Sequence, residues 1–373
     1  MFVVGYPFLP IGMGEHARST YRALVAAGVE ARLVDVADRT ATPDPDLEAG
    51  FREAVTDLPA GATALYCVNG DVAPHVVKAL GPRAAGGFRI IYPAWELARY
   101  PRAWVPAIEI FDEVWAPSQF IREAIAGVTD RPVIHMPLAV ELKMSGFLGR
   151  RWFGIPEDAF TALFFFDFDS YAERKNPGAV LDAFERLAAR RPEADLHCVI
   201  KTRGARRDDP AFRDLDARVE ALGSRAQLIS GDLGDNEIKN LVRNCDVFVS
   251  LHRAEGFGRG MAEAMALGRV AVATGYSGNL DFMAPDISRR VDYQLIPVRP
   301  GTYPQGDGQV WADASPTHAC DLLEALMDDP AGTRALGRRA RANIRENFSL
   351  AATGGRYRAR IETIRRSDGS SAT

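Results

Sequence analysis

The stretch Asp246–Gly268, DVFVSLHRAEGFGRGMAEAMALG, holds a strand, a turn and a helix in one piece. The apolar run DVFVSL leads into the glycine-rich turn EGFGRG, and the turn opens onto a helix-length run. At the carboxyl end of a strand, N–H groups of such a turn and the dipole of the following helix favour an anion, above all a phosphate. Glycines there let a ligand approach closely. Met261 to Leu267 reads Met-Ala-Glu-Ala-Met-Ala-Leu, the composition of a helix buried on all sides. Glu263 is out of place in it, because an unpaired buried charge costs several kcal/mol, roughly. Glu255 stands just ahead of the turn. Both glutamates read as hydroxyl acceptors, and the N–H groups of Gly256, Phe257, Gly258 and Arg259 as an anion cradle. A nucleotide-diphosphate sugar, with hydroxyl-rich ends and an anionic centre, satisfies all of them. The plainer alternative makes Glu255 a solvated loop residue and Glu263 half of an ion pair with Arg259, one helical turn away.

Outward from this stretch, strand-like and helix-like runs alternate along almost the whole chain, the pattern of parallel sheets covered by helices on both faces. MFVV, ARLVDV, ATALYCV, FRIIYP, EVWAP and PVIHM read as strands of a first half, with helices over Gly14–Ala27 and Ser118–Ala126. TALFFFDF, DLHCVIK, AQLISG, DVFVSL and VAVAT read as strands of a second half, and PLAVELKMSGFLGRRWFGIPED between them as a connector. The expected fold is α/β: two Rossmann-like domains whose parallel sheets face each other across a cleft, with ligands at the carboxyl ends of the strands. The first domain is placed at residues 1–140 and the second at 141–350, followed by a helix over 351–366 that crosses back to the first and a disordered tail over 367–373. That helix, AATGGRYRARIETIRR, is basic and amphipathic, so a membrane surface is its second reading.

A chain of 373 residues suits two domains. Hydrophobic residues at 47% and charged residues at 25% are ordinary for a soluble globular protein. With 45 Lys+Arg against 49 Asp+Glu, the net charge of -4 supplies no global field for nucleic acid or an anionic membrane, so an anionic ligand must be met locally. Cys67, Cys198, Cys245 and Cys320 lie far apart without metal spacing and read as buried thiols in a reducing cytoplasm. No run of eighteen apolar residues occurs, the amino terminus lacks the basic start of a signal peptide, and the histidines show no ligand spacing.

A second cluster follows TALFFFDF. In DSYAERKNP, Lys175 sits where it would neutralise a leaving diphosphate, with Arg174 and the Ser170 hydroxyl beside it; a solvated basic pair is the alternative. Lys201 and Arg203, after the next strand, line the same mouth. In the first half, PIGMGEHARSTYRAL supplies Gly12 and Gly14 at a strand-to-helix turn suited to a phosphate or a sugar. The same residues match G-x-G-x-x-A, with Asp35 after the next strand, a rival signal for an NAD-dependent dehydrogenase. Two prolines between the strand and Gly12 argue against it. Asp167-Phe168-Asp169 looks like a D-x-D that holds a divalent ion, yet it ends an apolar strand and is read as accidental, so no metal is expected. Trp95 and Glu96 directly follow a strand, with Tyr100 and Trp104 beyond. Aromatics with a carboxylate suit a sugar acceptor, and packing equally well; His16, in the glycine turn, is placed with Trp95 and Glu96 on the acceptor side.

Together these residues resemble the retaining family 4 glycosyltransferases of the GT-B fold, known as glycosyl transferases group 1, over nearly the whole chain. The likeness is carried by E-x7-E, here Glu255 to Glu263, and by ERKNP, GMGEHAR and ATGYSGNLDFM. It implies that Glu255 contacts donor-sugar hydroxyls, that the N–H groups after it bind sugar and phosphate, that Glu263 holds ribose hydroxyls and that Lys175 stabilises the departing diphosphate. Transfer with retention, through an oxocarbenium-like state attacked on the leaving-group face, is also implied. The family often carries an arginine about six positions before that lysine; Asp169 stands there, and Arg174, Lys201, Arg253, Arg259 and the Ser170 hydroxyl are the candidates for its role. VDYQLIPVRPGTYPQGDGQVWADAS is similar to bacterial members that build O-antigen or related surface polysaccharides, often from GDP-mannose. The resulting expectation is a cytoplasmic, metal-independent transferase needing no cofactor besides its nucleotide-sugar donor. Its acceptor is a glycan, a lipid-linked molecule or a small molecule, and the inner membrane face is its second location. A nucleotide-sugar epimerase, a sugar phosphorylase, the dehydrogenase and a binding protein with a decayed site are the alternatives.

Overall fold

The computed structural model describes all residues except 39, 205 and 371–373, and the side chains of 367–370 are likewise outside the described residues. The chain divides into two compact units, Met1–Glu141 with Glu346–Thr373, and Leu142–Arg345.

The first unit holds a six-stranded parallel sheet of order β2-β1-β3-β4-β5-β6, made of β1 (Phe2–Gly5), β2 (Arg32–Asp35), β3 (Ala64–Tyr66), β4 (Arg89–Ile91), β5 (Glu113–Ala116) and β6 (Val133–His135). The second holds another, of order β12-β11-β10-β7-β8-β9. Its strands are β7 (Phe160–Asp167), β8 (Leu196–Arg203), β9 (Ala226–Ser230), β10 (Val247–Ser250), β11 (Val270–Thr274) and β12 (Arg289–Val291). An antiparallel hairpin, β13 (Tyr293–Pro297) and β14 (Val310–Ala314), forms a separate two-stranded sheet. Central strands are buried along their whole length: β5, β10 and β11 show no exposed residue, as expected of parallel strands covered on both faces. Each run read as a strand from the sequence is one. β12 and the hairpin were not anticipated, because β12 is a three-residue edge with two arginines and β13 is largely exposed, so neither carries the apolar run that marks a central strand.

Strand order places the sites. In the second sheet the chain builds β7, β8 and β9 outward to one side and then returns to lay β10, β11 and β12 on the other. The direction of winding therefore reverses between β7 and β10, which pair directly, Val247 with Ala162 and Phe248 with Leu163. Loops leaving adjacent strands at such a point diverge and open a crevice.

The carboxyl-terminal helix, Leu350–Ser370, packs on the first unit, along the helix Gly12–Ala26. Gly354 permits the approach, since a Cβ there would stand 2.0 Å from the Ala23 carbonyl oxygen. Tyr357, Ile361 and Ile364 are buried, and the Tyr357 hydroxyl donates to the Pro137 carbonyl at 3.0 Å. Arg360 pairs with the buried carboxylate of Glu113, donating from Nε at 3.0 and 3.1 Å, while Trp115 Nε1 donates to the same carboxylate at 2.7 Å. The apolar side of this helix is thus occupied by protein, which removes the physical ground for the membrane-surface reading. The helix runs to Ser370; of the tail expected to be disordered over 367–373, the side chains of 367–370 and all of 371–373 lie outside the described residues. Among the described residues no helix is long and apolar enough to cross a membrane.

Candidate active site

The loops after β7 and β10 meet at the reversal in the second sheet. After β10 the chain runs buried through Leu251, His252, Ala254 and Glu255 to Gly258, which begins the helix Arg259–Ala266 with φ of 90°. A Cβ at Gly258 would come closest to the movable Met261 Cε, at 2.4 Å, so it is the backbone conformation that demands glycine. After β7 the chain takes a tight path in which Tyr171 (φ 64°) and Asn176 (φ 54°) adopt left-handed conformations on either side of Ala172–Lys175. Such positions cost energy in non-glycine residues and are held by their surroundings. Here Arg253 N–H donates to the Arg174 carbonyl at 2.8 Å and Asn176 Nδ2 to the Leu251 carbonyl at 2.9 Å, so the two loops lock each other.

The locked loops bring Glu255, Lys175 and Arg174 together. Lys175 Nζ pairs with Glu255 Oε1, and Arg174 Nη1 stands 3.4 Å from Oε2. Burial would push the Glu255 carboxyl up, but Lys175 and then Arg174 outweigh it and hold the group down at about 2, so it stays ionised. The backbone around it is fixed as well: Glu255 N–H donates to Ser277 Oγ at 2.9 Å, and the Glu255 carbonyl accepts from Gly278 N–H at 2.9 Å. His252 is fully buried, and burial lowers its pKa. Its Nε2 faces two acceptors, Asn279 Oδ1 at 3.2 Å and the Tyr276 carbonyl at 3.3 Å, while Nδ1 faces Ser250 Oγ at 3.0 Å. These contacts fit a neutral ring with its proton on Nε2.

The remaining second-unit candidates separate into distinct roles. Arg174, 4% exposed, spends Nη1 on the Ala254 carbonyl (2.8 Å) and Nη2 on the Ser170 carbonyl (3.1 Å), so it braces the loop, and Ser170 takes part through its backbone. Arg253 donates to the Glu173 carboxylate and carbonyl, both at 2.7 Å, and lies 3.5 Å from Asp313. Lys201 differs from both. It is 8% exposed, and among the described residues it has no hydrogen bond or ion pair; burial lowers its pKa, with Asp232 opposing. The carboxylates of Asp232 and Asp167 act on this ammonium through space, without a direct ion pair. Gly256 and Phe257 are buried, the Phe257 ring lying 5.2 Å from that of Phe282.

Glu263 corrects the sequence reading. The helix Arg259–Ala266 buries Met261, Ala262, Ala264 and Met265 on one face, whereas Arg259, Gly260, Glu263 and Ala266 lie on a half-exposed one. The short side chains that make the run look apolar all round cover only one face. Glu263 therefore keeps access to solvent, and the fold does not require a ligand to solvate it.

In the first unit, Gly12 and Gly14 part company. A Cβ at Gly14 would strike the carbonyl oxygens of Leu9 at 2.2 Å and Tyr6 at 2.8 Å, so that glycine serves the chain's own packing. A Cβ at Gly12 would meet nothing within 4 Å, which leaves its surface open to a ligand. A dinucleotide fingerprint needs its glycines facing the pyrophosphate at the strand end. Here β1 ends at Gly5 and the helix starts only at Gly12, with Gly14 turned onto the intervening loop. His16 and Trp95 are interior side chains: His16 abuts Tyr92, ring centroids 4.3 Å apart, and Trp95 packs on Tyr100 and Trp104 with Nε1 donating to the Arg99 carbonyl at 3.0 Å. At 3% and 2% exposure, little of either ring is open to an acceptor. Glu96 is half-buried. Asp167 Oδ1 accepts from Asp169 N–H at 2.9 Å, a local turn contact, and among the described residues no group of three metal-ligating side chains occurs. The four cysteines are free and buried.

Residues 154–291 match the family Glycosyl transferases group 1. That segment contains β7 to β12 and the whole Glu255 centre. A 109-residue stretch is 33% identical to mannosylfructose-phosphate synthase of Agrobacterium fabrum, covering 29% of this chain and 24% of that protein, so the likeness spans about a quarter of the relative. Among solved structures, the Anabaena protein HepE in complex with UDP and glucose superposes with a TM-score of 0.71 at 13% identity, over 97% of this chain and 99% of that one. Sucrose-phosphate synthase of Thermosynechococcus elongatus gives 0.67 at 16% identity, over 99% of both chains. At such identities these likenesses establish the fold, the two-sheet α/β fold of GT-B proteins that the strand alternation predicts. Within the group 1 segment, the sequence did not single out His252, Ser277 and Asn279 as supports of Glu255. Ser277 and Asn279 lie in ATGYSGNLDFM, so a signal was present, but only the contacts reveal what they hold.

Proposed function

We propose that this protein is a retaining family 4 glycosyltransferase that moves a sugar from a nucleotide-diphosphate donor to a hydroxyl-bearing acceptor. The observation that carries this reading is the buried Glu255 carboxylate, kept ionised by Lys175 and Arg174 at the amino end of a helix inside a segment matching glycosyl transferases group 1. A carboxylate that cannot take up a proton is suited to accept hydroxyl hydrogen bonds from a sugar. The helix amino terminus suits the diphosphate, and Lys175 adjoins the position where leaving-group charge develops. Lys201, which makes no direct ion pair among the described residues, is the candidate for a second cation. Glu263, on the open face of the same helix, is assigned to the ribose hydroxyls.

The donor is proposed to be GDP-mannose or a related nucleotide sugar, and the acceptor a glycan, a lipid-linked sugar or a small molecule. HepE is described in complex with UDP-glucose, which makes UDP-sugars the first competitors in the test. No metal or further cofactor is assigned a role, and the cytoplasm is the proposed location.

The test is thermal stabilisation by GDP, UDP, ADP, GDP-mannose, UDP-glucose and NAD, each with and without EDTA, followed by product analysis with the nucleotide sugar that binds. A ligand that binds only the folded protein raises its stability by RT ln(1 + [L]/Kd). Stabilisation by one nucleoside diphosphate that survives EDTA and is lost in Lys175→Ala is the expected result. Stabilisation by NAD alone would overturn the proposal.

A further inference from the structure

The hairpin β13–β14 stands apart from the parallel sheet, yet it reaches both arginines that flank the Glu255 centre. Tyr303, in the hairpin loop and 8% exposed, places its ring 5.9 Å from the Arg174 guanidinium carbon and 5.0 Å from the ring of Tyr171. Trp311, on β14, lies 5.5 Å from the Arg253 guanidinium carbon and 6.3 Å from Tyr303. The hairpin is tied to the loop after β10 by its backbone, Ala312 N–H donating to the Arg253 carbonyl at 2.9 Å. At the loop after β7, Arg299 pairs with Glu173 at 2.7 Å. An arginine over an aromatic face is held by the negative charge of that face as well as by contact. An aliphatic side chain of similar bulk supplies only the contact.

We propose that Tyr303 is a positioning residue for the Glu255 centre, acting through Arg174. The ring face fixes the guanidinium where it reaches Ala254, Ser170 and Glu255 together, and the guanidinium in turn fixes the carboxylate that Lys175 pairs with. The hairpin is thus a working part of the site. Its kinetic consequence rests on the glycosyltransferase reading above; the contact itself does not.

The experiment compares Tyr303→Phe, Tyr303→Leu, Arg174→Met and the Tyr303→Leu/Arg174→Met pair in the full chain. Turnover is measured with whichever of UDP-glucose, UDP-N-acetylglucosamine and GDP-mannose the wild type consumes. Tyr303→Leu is expected to lower kcat about tenfold with donor KM within about twofold, and Tyr303→Phe to restore it. The pair should be no slower than Arg174→Met alone. Wild-type kcat in Tyr303→Leu, or losses that multiply in the pair, would overturn the proposal. If the wild type consumes none of the three donors and no nucleoside diphosphate stabilises it, the glycosyltransferase reading fails by itself. The contact is then read from urea midpoints: a pair no less stable than the weaker single variant supports it, and additive losses reject it. Should Tyr303→Leu fail to fold, Tyr303→Met takes its place in both measurements.

Discussion

Replacing Lys175 by methionine keeps the length of the side chain and removes its charge, which tests the heart of the site without any substrate. Glu255 is 9% exposed, and its carboxyl is held at about 2 against an ordinary 4.5. At ~1.4 kcal/mol per pH unit, that difference corresponds to ~3 kcal/mol of folded-state stabilisation at neutral pH. The folded pKa lies below the unfolded one, so this contribution is fully present above about pH 4.5 and is lost as pH falls towards 2. Arg174, 3.4 Å from the carboxylate, remains in the variant, so about 2 kcal/mol should disappear with the ammonium. The assay is urea unfolding at pH 7 of wild type, Lys175→Met, Glu255→Gln and the double variant. Lys175→Met should lose about 2 kcal/mol, and the double variant should be more stable than Lys175→Met, because a neutral amide needs no cation. A Lys175→Met protein within about 0.5 kcal/mol of wild type would refute the argument, since the pair would then behave as a solvated one.

Three other substitutions probe separate links. Glu263→Ala should weaken nucleoside diphosphate binding, measured calorimetrically, because the side chain lies on the half-exposed face of the helix that follows the glycine turn; unaltered affinity would end the ribose assignment. Gly14→Ala should destabilise the first unit by about 1–3 kcal/mol through its clash with the Leu9 carbonyl, whereas Gly12→Ala should fold as well as wild type. Equal thermal midpoints for the two would contradict the distinction between them. Arg360→Met leaves the Glu113 carboxylate, 1% exposed, without its cation, and should cost about 3 kcal/mol in urea unfolding; a smaller loss in Arg360→Met/Glu113→Gln would identify the unpaired charge as the cause.

The sequence by itself determined the fold class and most of the strands. Apolar runs such as DVFVSL and EVWAP, each followed by a helical period, are local signals, and a buried parallel strand leaves little freedom in how it is written. The glycine turn at 256–258 and the basic loop at 174–175 were legible for the same reason, since chemistry at a strand end needs residues adjacent in the chain. Tertiary structure decided what those residues do to one another. Only the strand order, with β10 beside β7, brings Lys175 onto Glu255 across 80 positions of sequence, and no local pattern encodes which strands become neighbours. Burial was likewise out of reach. Glu263 in a run of small apolar residues and Trp95 after a strand look alike in sequence whether they face protein or solvent, and the packing of the surrounding elements settled both: Glu263 outward, Trp95 into the core. Tyr303, in the hairpin loop, and Trp311, on β14, carry the same lesson, because an aromatic there acquires a role only when the chain folds its face over an arginine more than fifty positions away.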